Sequence, residues 1–172
     1  MASAQEAMEL VCRILLNPGD QVWIEDHGWS GAKAAVTMAG ARLVPVPVDD
    51  RGLDVASGVR RSPNARLAYV TPSHQYPTGA TLDAARRRHL LEWAEAREAW
   101  ILEDDYDSEF RCADRPLPAL QCLGRTDRVI YVGTFTSRGS SWISRSDISR
   151  TGSRARSSPL DSGARRSSSR GA

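Results

Sequence analysis

The sequence predicts an α/β domain of three layers over residues 1–136, a mostly parallel sheet with helices on both faces, and a disordered tail over 137–172. Three observations carry this. Short apolar runs alternate with segments of helical periodicity, the rhythm of strands joined by crossover helices. A chain of 172 residues, 41% hydrophobic and 26% charged, suits one domain with a sizeable core. The composition then changes abruptly after Arg128-Val-Ile-Tyr-Val-Gly-Thr-Phe135: residues 138–172 hold twelve Ser and eight Arg with almost no periodic apolar residues, too few to build a core.

Taken in order, Gln5–Leu16 places Ala7, Met8, Val11, Cys12 and Leu15 on one helical face, and Asn17-Pro-Gly-Asp20 ends it with turn chemistry. A short strand follows at Gln21–Glu25. Gly31–Gly40 is an Ala-rich helix stopped by its glycine. Arg42–Val48 reads as a strand whose prolines put it at a sheet edge or make it irregular. Leu67–Val70 is a buried strand, and Leu82–Arg97 a basic amphipathic helix with Leu90, Leu91, Trp93 and Ala94 inward. Trp100–Leu102 and Val129–Val132 are further strands. In such sheets a ligand sits beyond the carboxyl ends of the strands, so the residues after each strand matter most.

Charge divides the chain. Residues 138–172 carry eight Arg against two Asp, whereas residues 1–137 are net acidic. An Arg/Ser-rich segment can neutralise phosphates without sequence preference, so a nucleic-acid-binding tail is one reading. The other is an unstructured extension produced by a shifted reading frame. No apolar run approaches the roughly 18 residues of a membrane span, and no basic segment followed by an apolar stretch opens the chain, so a cytoplasmic protein without membrane contact is expected. Three cysteines without CxxC spacing point to reduced thiols rather than to disulfides or zinc, and no metal is expected.

Three strand ends are chemically unusual. Glu25-Asp-His-Gly-Trp29-Ser-Gly31 sets an aromatic beside two glycines at a helix start. Thr71-Pro-Ser-His-Gln-Tyr-Pro-Thr-Gly79 is a turn-rich loop dense in hydrogen-bonding groups. Glu103-Asp-Asp-Tyr-Asp-Ser-Glu109 has five carboxylates in seven residues. Mutual repulsion raises the pKa values of such a cluster unless a cation or protonated group sits there. A divalent metal on Asp104, Asp105 and Asp107 is one solution, and a heterocyclic cofactor whose protonated ring nitrogen pairs with one Asp is another. A solvated acidic loop is the plain alternative.

Together with Ala4-Gln-Glu-Ala-Met-Glu-Leu10, Leu16-Asn-Pro-Gly-Asp20 and Val129-Ile-Tyr-Val-Gly-Thr-Phe135, these segments resemble the large domain of fold-type-I pyridoxal-phosphate aminotransferases (class I/II). The resemblance is specifically to the aminotransferase-like domain of MocR-type regulators of the GntR family. It runs colinearly over residues 1–136 and implies pyridoxal 5'-phosphate as cofactor. The cofactor draws electrons from a bonded amine only while its ring nitrogen stays protonated, which needs a nearby carboxylate. The resemblance assigns that to Asp104, with Tyr106 on the ring's phenolic oxygen and Trp29 stacked on the ring. It puts Ser3 and Gln5 at the helix start under the phosphate, a natural anion site, His74 and Gln75 in the loop facing the cofactor, and Thr134 near the phosphate end. Ser3 departs from the family's usual glycine.

The larger departure is at Gly133-Thr-Phe-Thr-Ser137-Arg138. The family follows Gly-Thr-Phe with Ser-Lys, the lysine that bonds the cofactor, whereas Ser137 stands at that position here. The one lysine in the chain is Lys33, and arginine is a poor nucleophile because it stays protonated. No catalytic residue is therefore expected, and the chain reads as a central fragment, interrupted at Thr136 or Ser137, of a larger protein. The parent is expected to be either an amino-group transferase or an effector-sensing module without turnover. By resemblance its partners are a small-molecule amine or amino acid, a second subunit in a homodimer, and DNA contacted through a winged-helix domain that this chain lacks.

Overall fold

The computed structural model describes residues 4–106, 118–123, 127–135 and 140–143, of which residues 134, 135 and 140–143 are described by their backbone alone. Among the described residues, seven strands form one sheet in the order β3-β2-β1-β4-β5-β6-β7, built from β1 (Gln21–Asp26), β2 (Arg42–Asp49), β3 (Gly52–Leu53), β4 (Leu67–Val70), β5 (Trp100–Asp105), β6 (Val129–Phe135) and β7 (Ser140–Ile143). The five strands from β2 to β6 run parallel, and β3 and β7 add antiparallel edges. Going along the sheet, strand order turns back on itself between β1 and β4, the place where a doubly wound sheet leaves a crevice at its carboxyl ends.

Alternation along each strand sends side chains to two separate cores. Val22 and Ile24 of β1, Tyr69 of β4, Leu102 of β5 and Ile130 of β6 pack with α1 (Ala4–Leu15) and α2 (Ser30–Met38). Trp23, Ala68, Val70 and Ile101 face the other way, toward α3 (Val55–Arg61), α4 (Ala84–Arg97) and α5 (Leu120–Leu123). There the Trp23 and Trp93 rings stack 3.9 Å apart, and both indole N–H groups are satisfied, by the carbonyls of Ser62 and Pro63. Such a pair contributes about 1 kcal/mol beyond its burial. These are the three expected layers.

Helix ends follow local chemistry. Asp54 and Asp83 accept the N–H of Ser57 and Arg86, closing the first turns of α3 and α4, each cap worth about 1 kcal/mol. Gly40, at φ +74°, stops α2 as expected, with its N–H on the Thr37 carbonyl and that of Ala41 on Val36. The inward face of α4 is as expected, with the addition of Arg87, fully buried. Its guanidinium donates to the carbonyls of Pro72, Leu82 and Pro118.

Four elements were not expected: β3, α3, α5 and β7. β2 is not the edge. Its prolines still act as edge residues, because Arg42 points its N–H at β1, and the alternate positions 45 and 47 therefore turn their missing donors outward. Among the described residues, only the two-residue β3 pairs there. The sheet also continues into the expected tail, where β7 pairs with β6 from Val132↔Ile143 to Phe135↔Ser140. An edge strand needs backbone donors and acceptors more than apolar side chains, which is why composition did not reveal it. Residues 144–172, Ser3 and Ser137 lie outside the described residues. No helix among the described residues is long and apolar enough to cross a membrane.

Candidate functional site

Three carboxylates end up buried at the carboxyl end of β5, and the alternation of the strand separates them. Glu103 and Asp105 share the face of Ile101, whereas Asp104 shares the face of Leu102 and Tyr69. Glu103 accepts the N–H groups of Leu120 and Gln121 at the start of α5, and Asp105 accepts the hydroxyl of Tyr131. A metal shared by Asp104 and Asp105 is therefore not what the strand builds; Asp107 lies outside the described residues. Among the described residues no cluster of His, Cys, Asp and Glu has the arrangement of a metal site.

Asp104 is 7% exposed. Its Oδ2 accepts the Tyr69 hydroxyl at 2.7 Å, and its Oδ1 is buried without a partner. Burial foremost pushes its pKa up to about 6, the Tyr69 hydrogen bond opposes, and the charge of Asp105 adds to the rise. The same burial, with the charge of Asp104, holds the Tyr69 phenol well above its ordinary value, so it stays a donor.

Asp104 is in the wall of a cavity of about 340 Å³, together with Ala4, Trp29, Tyr69, Thr71, Tyr76 and Tyr106. α1 opens on this cavity through Ala4, its first residue. Trp29 is the residue that starts α2, and its indole folds back over the first turn. A Cβ on Gly31 would lie 2.3 Å from that ring and 2.4 Å from the Gln5 side chain, so the glycine is what admits the indole. Tyr106 follows β5, with the rings of His74 and Tyr76 edge-on to it at 6.2 and 6.5 Å.

The expected residues are therefore distributed unevenly. Trp29, Asp104 and Tyr106 line one cavity, and His74 is exposed, with its ring edge-on to Tyr106. Gln75 does not face the cavity. Its side chain is buried, donates to Glu25 and to the carbonyl of His27, and accepts from the N–H and hydroxyl of Thr78, so it shapes the loop from within. Gln5 reaches Glu9 and the carbonyl of Gly31 rather than the cavity. Thr134 lies on β6 one residue beyond Gly133, the partner of Asp105.

Sequence reasoning missed Tyr69, Thr71, Tyr76 and the buried Glu25. Glu25 accepts the N–H and hydroxyl of Thr71 as well as the Gln75 amide, which ties the end of β1 to the loop after β4. Burial raises its pKa above all else, its hydrogen bonds oppose, and Asp104 adds to the rise. A polar residue directly after a fully apolar strand, as Thr71 is, was the available signal; Tyr69 inside the strand gave none.

The family profile of aminotransferase class I and II matches residues 1–137. The chain is 46% identical over 131 residues to the probable rhizopine catabolism regulatory protein MocR of Rhizobium meliloti, an overlap of 76% of this chain and 26% of that protein. Its fold is similar to that of kynurenine aminotransferase from Pyrococcus horikoshii, solved with PMP (TM-score 0.74, 31% identity, 79% of this chain and 35% of that one). It is similar also to the α-aminoadipate aminotransferase LysN of Thermus thermophilus, solved with N-(5'-phosphopyridoxyl)-L-leucine (TM-score 0.72, 31% identity, 78% and 36%). The chain thus spans about a quarter of the regulator and a third of each enzyme. The profile, the sheet and its two covering layers agree over the same residues: the chain belongs to the aminotransferase class I and II family, whose cofactor is pyridoxal phosphate.

Proposed function

We propose that this chain is the ring-holding part of a pyridoxal-phosphate domain, one whose parent transfers amino groups or senses an amine, and that it is without transferase activity as it stands. The observation that carries the reading is the Asp104 Oδ1, a buried acceptor without a partner in a cavity walled by aromatic rings. A protonated ring nitrogen is the donor such an oxygen lacks, and when bound the cofactor supplies an electron sink for an amine's α-carbon. Asp104 would hold the ring-nitrogen proton, Trp29 would cover one ring face, and Tyr106 would donate to the phenolic oxygen. The N-terminus of the twelve-residue α1 would face the phosphate.

Loss of activity follows from position 137. Proton transfer at the substrate's α-carbon requires a neutral amine held over the ring, and neither serine nor arginine provides one. Lys33 belongs to α2 one turn after Trp29, with its N–H on the Trp29 carbonyl, and it is not part of the cavity wall. Effector sensing is favoured by the 46% identity to a regulator, and in that case the effector is an amine or amino acid and the domain works as a homodimer beside a DNA-binding domain.

The test uses 4-deoxypyridoxine 5'-phosphate, which has the ring nitrogen and phosphate but no aldehyde and so binds without a lysine. Calorimetry of the full chain is expected to show saturable binding at one site, weakened about tenfold or more by Asp104→Asn, as for loss of a charge-assisted hydrogen bond. Absence of saturable binding, or equal binding by Asp104→Asn, overturns the reading.

A further inference from the structure

Asp104 lines the cavity, and of its two oxygens Oδ1 is buried without a hydrogen-bond partner whereas Oδ2 has one. What makes the two unequal is Tyr69. Its ring is 1% exposed, it lies in the middle of the sheet on β4, and its hydroxyl meets Oδ2 at 2.7 Å. The Tyr69 Cα is paired with that of Leu102, two residues before Asp104, so the phenol extends along the sheet surface to reach the carboxylate from the strand side. We propose that Tyr69 is a positioning residue for Asp104: its hydroxyl pins Oδ2 against the sheet, aims Oδ1 into the cavity, and keeps the carboxylate in its charged form for a cationic ring nitrogen.

A buried carboxylate with no donor takes up a proton instead of holding a charge, and a protonated Asp104 cannot pair with a protonated ring. The groups that face Asp104 make this acute. Glu25 at the end of β1 and Asp105 next in β5 both disfavour its charge, and Tyr106 lies near Tyr69. Among the described residues, the hydrogen bond from Tyr69 is what opposes them. A donor there serves the carboxylate only if it never ionises, and burial beside Asp104 keeps the phenol protonated. The assignment of the ring nitrogen to Oδ1 rests on the function proposed above; the pinning of Oδ2 does not.

Three proteins test it: the full chain, Tyr69→Phe and Asp104→Asn. Carbon-13 NMR of the aspartate carboxyls in ligand-free protein identifies Asp104 by the signal missing from Asp104→Asn. Its titration midpoint is expected near 6 in the unaltered chain and about one unit higher in Tyr69→Phe, the equivalent of one hydrogen bond. Binding of 4-deoxypyridoxine 5'-phosphate to Tyr69→Phe is then expected to fall about tenfold at pH 6.5 and to recover part of that loss at pH 8, whereas the unaltered chain changes less over this range. A midpoint that stays in place, or a loss of affinity equal at both pH values, overturns the positioning role and leaves Tyr69 a packing residue. If the unaltered chain does not bind the probe at all, the cofactor reading fails while the NMR midpoint still decides the role of Tyr69. Should Tyr69→Phe not fold, 3-fluorotyrosine at 69, a stronger donor of nearly the same shape, is expected to lower the midpoint, and an unmoved midpoint overturns the proposal.

Discussion

Asp104 makes the stability of the folded protein depend on pH. Its pKa is raised in the folded chain, from 3.8 to about 6, so the folded state binds the proton more tightly than the unfolded state. The associated stability is fully present below about pH 4 and is lost as pH rises through 6, about 3 kcal/mol in all. Asp104→Asn removes the ionisation while keeping an acceptor for Tyr69. Urea unfolding is expected to show the variant more stable than the unaltered chain by about 2–3 kcal/mol at pH 8 and equal to it at pH 3.5. A variant less stable at pH 8 would mean that the charge is stabilised by something other than the groups named. The carboxylate itself was legible in the sequence, from its acidic cluster and the resemblance. Its partner Tyr69 was not, because a tyrosine in an apolar strand reads as core, and whether its hydroxyl meets a carboxylate depends on the register of β4 against β5.

At the scale of elements, contact between layers decides residue choice against local propensity. Gly58 lies in α3, where alanine would favour the helix by about 1 kcal/mol. A Cβ there would meet the Trp23 ring at 2.9–3.0 Å, and that ring is fully buried and stacked on Trp93, so it has no room to retreat. Gly58→Ala is accordingly expected to destabilise by about 1–3 kcal/mol, read as a lower urea midpoint with an unchanged slope. Arg87 is a second such case. It joins α4 to the loop after β4 and to Pro118; burial raises the pKa of Glu103, and the charge of Arg87 is among the influences that oppose the rise, after the N–H groups of Leu120 and Gln121. Arg87→Met is expected to cost about 3–5 kcal/mol, since it strands three buried carbonyls and removes a cation that favours the charged form of Glu103; a loss below 1 kcal/mol in thermal or urea unfolding would show that water replaces the guanidinium. The apolar face of α4 was legible because Leu90, Leu91, Trp93 and Ala94 fall at helical spacing. Arg87 on that same face was not, because its burial depends on carbonyls brought from positions 72 and 118.

For the molecule as a whole, the proposed loss of activity turns on position 137, where the chain carries serine. Incubation with pyridoxal phosphate and an amino donor is expected to give no turnover, and borohydride to leave no stoichiometric pyridoxyl label. A label mapped to Lys33 with accompanying turnover would contradict this. Reading the coding DNA across codons 130–150 in all three frames is expected to show Ser-Lys following Gly-Thr-Phe in a shifted frame. A single frame consistent only with Thr136-Ser137-Arg138 would instead make the serine an original feature of the chain.

The sequence by itself determined the alternation of helix and strand, the face each long helix buries, the family, and the three strand ends that meet at the cavity. Each of these depends on periodicity or on a contiguous motif, which a linear chain displays directly. Tertiary structure alone decided that the acidic run of β5 divides between two faces, that Gln75 turns inward to Glu25, and that Tyr69 leaves Asp104 a single open oxygen. It also decided that β7 extends the sheet through backbone pairing in a segment whose composition suggests no structure. These outcomes depend on strand register and on partners distant in the chain, among them Tyr69 and Asp104, 35 residues apart. Only packing brings such groups within hydrogen-bonding distance.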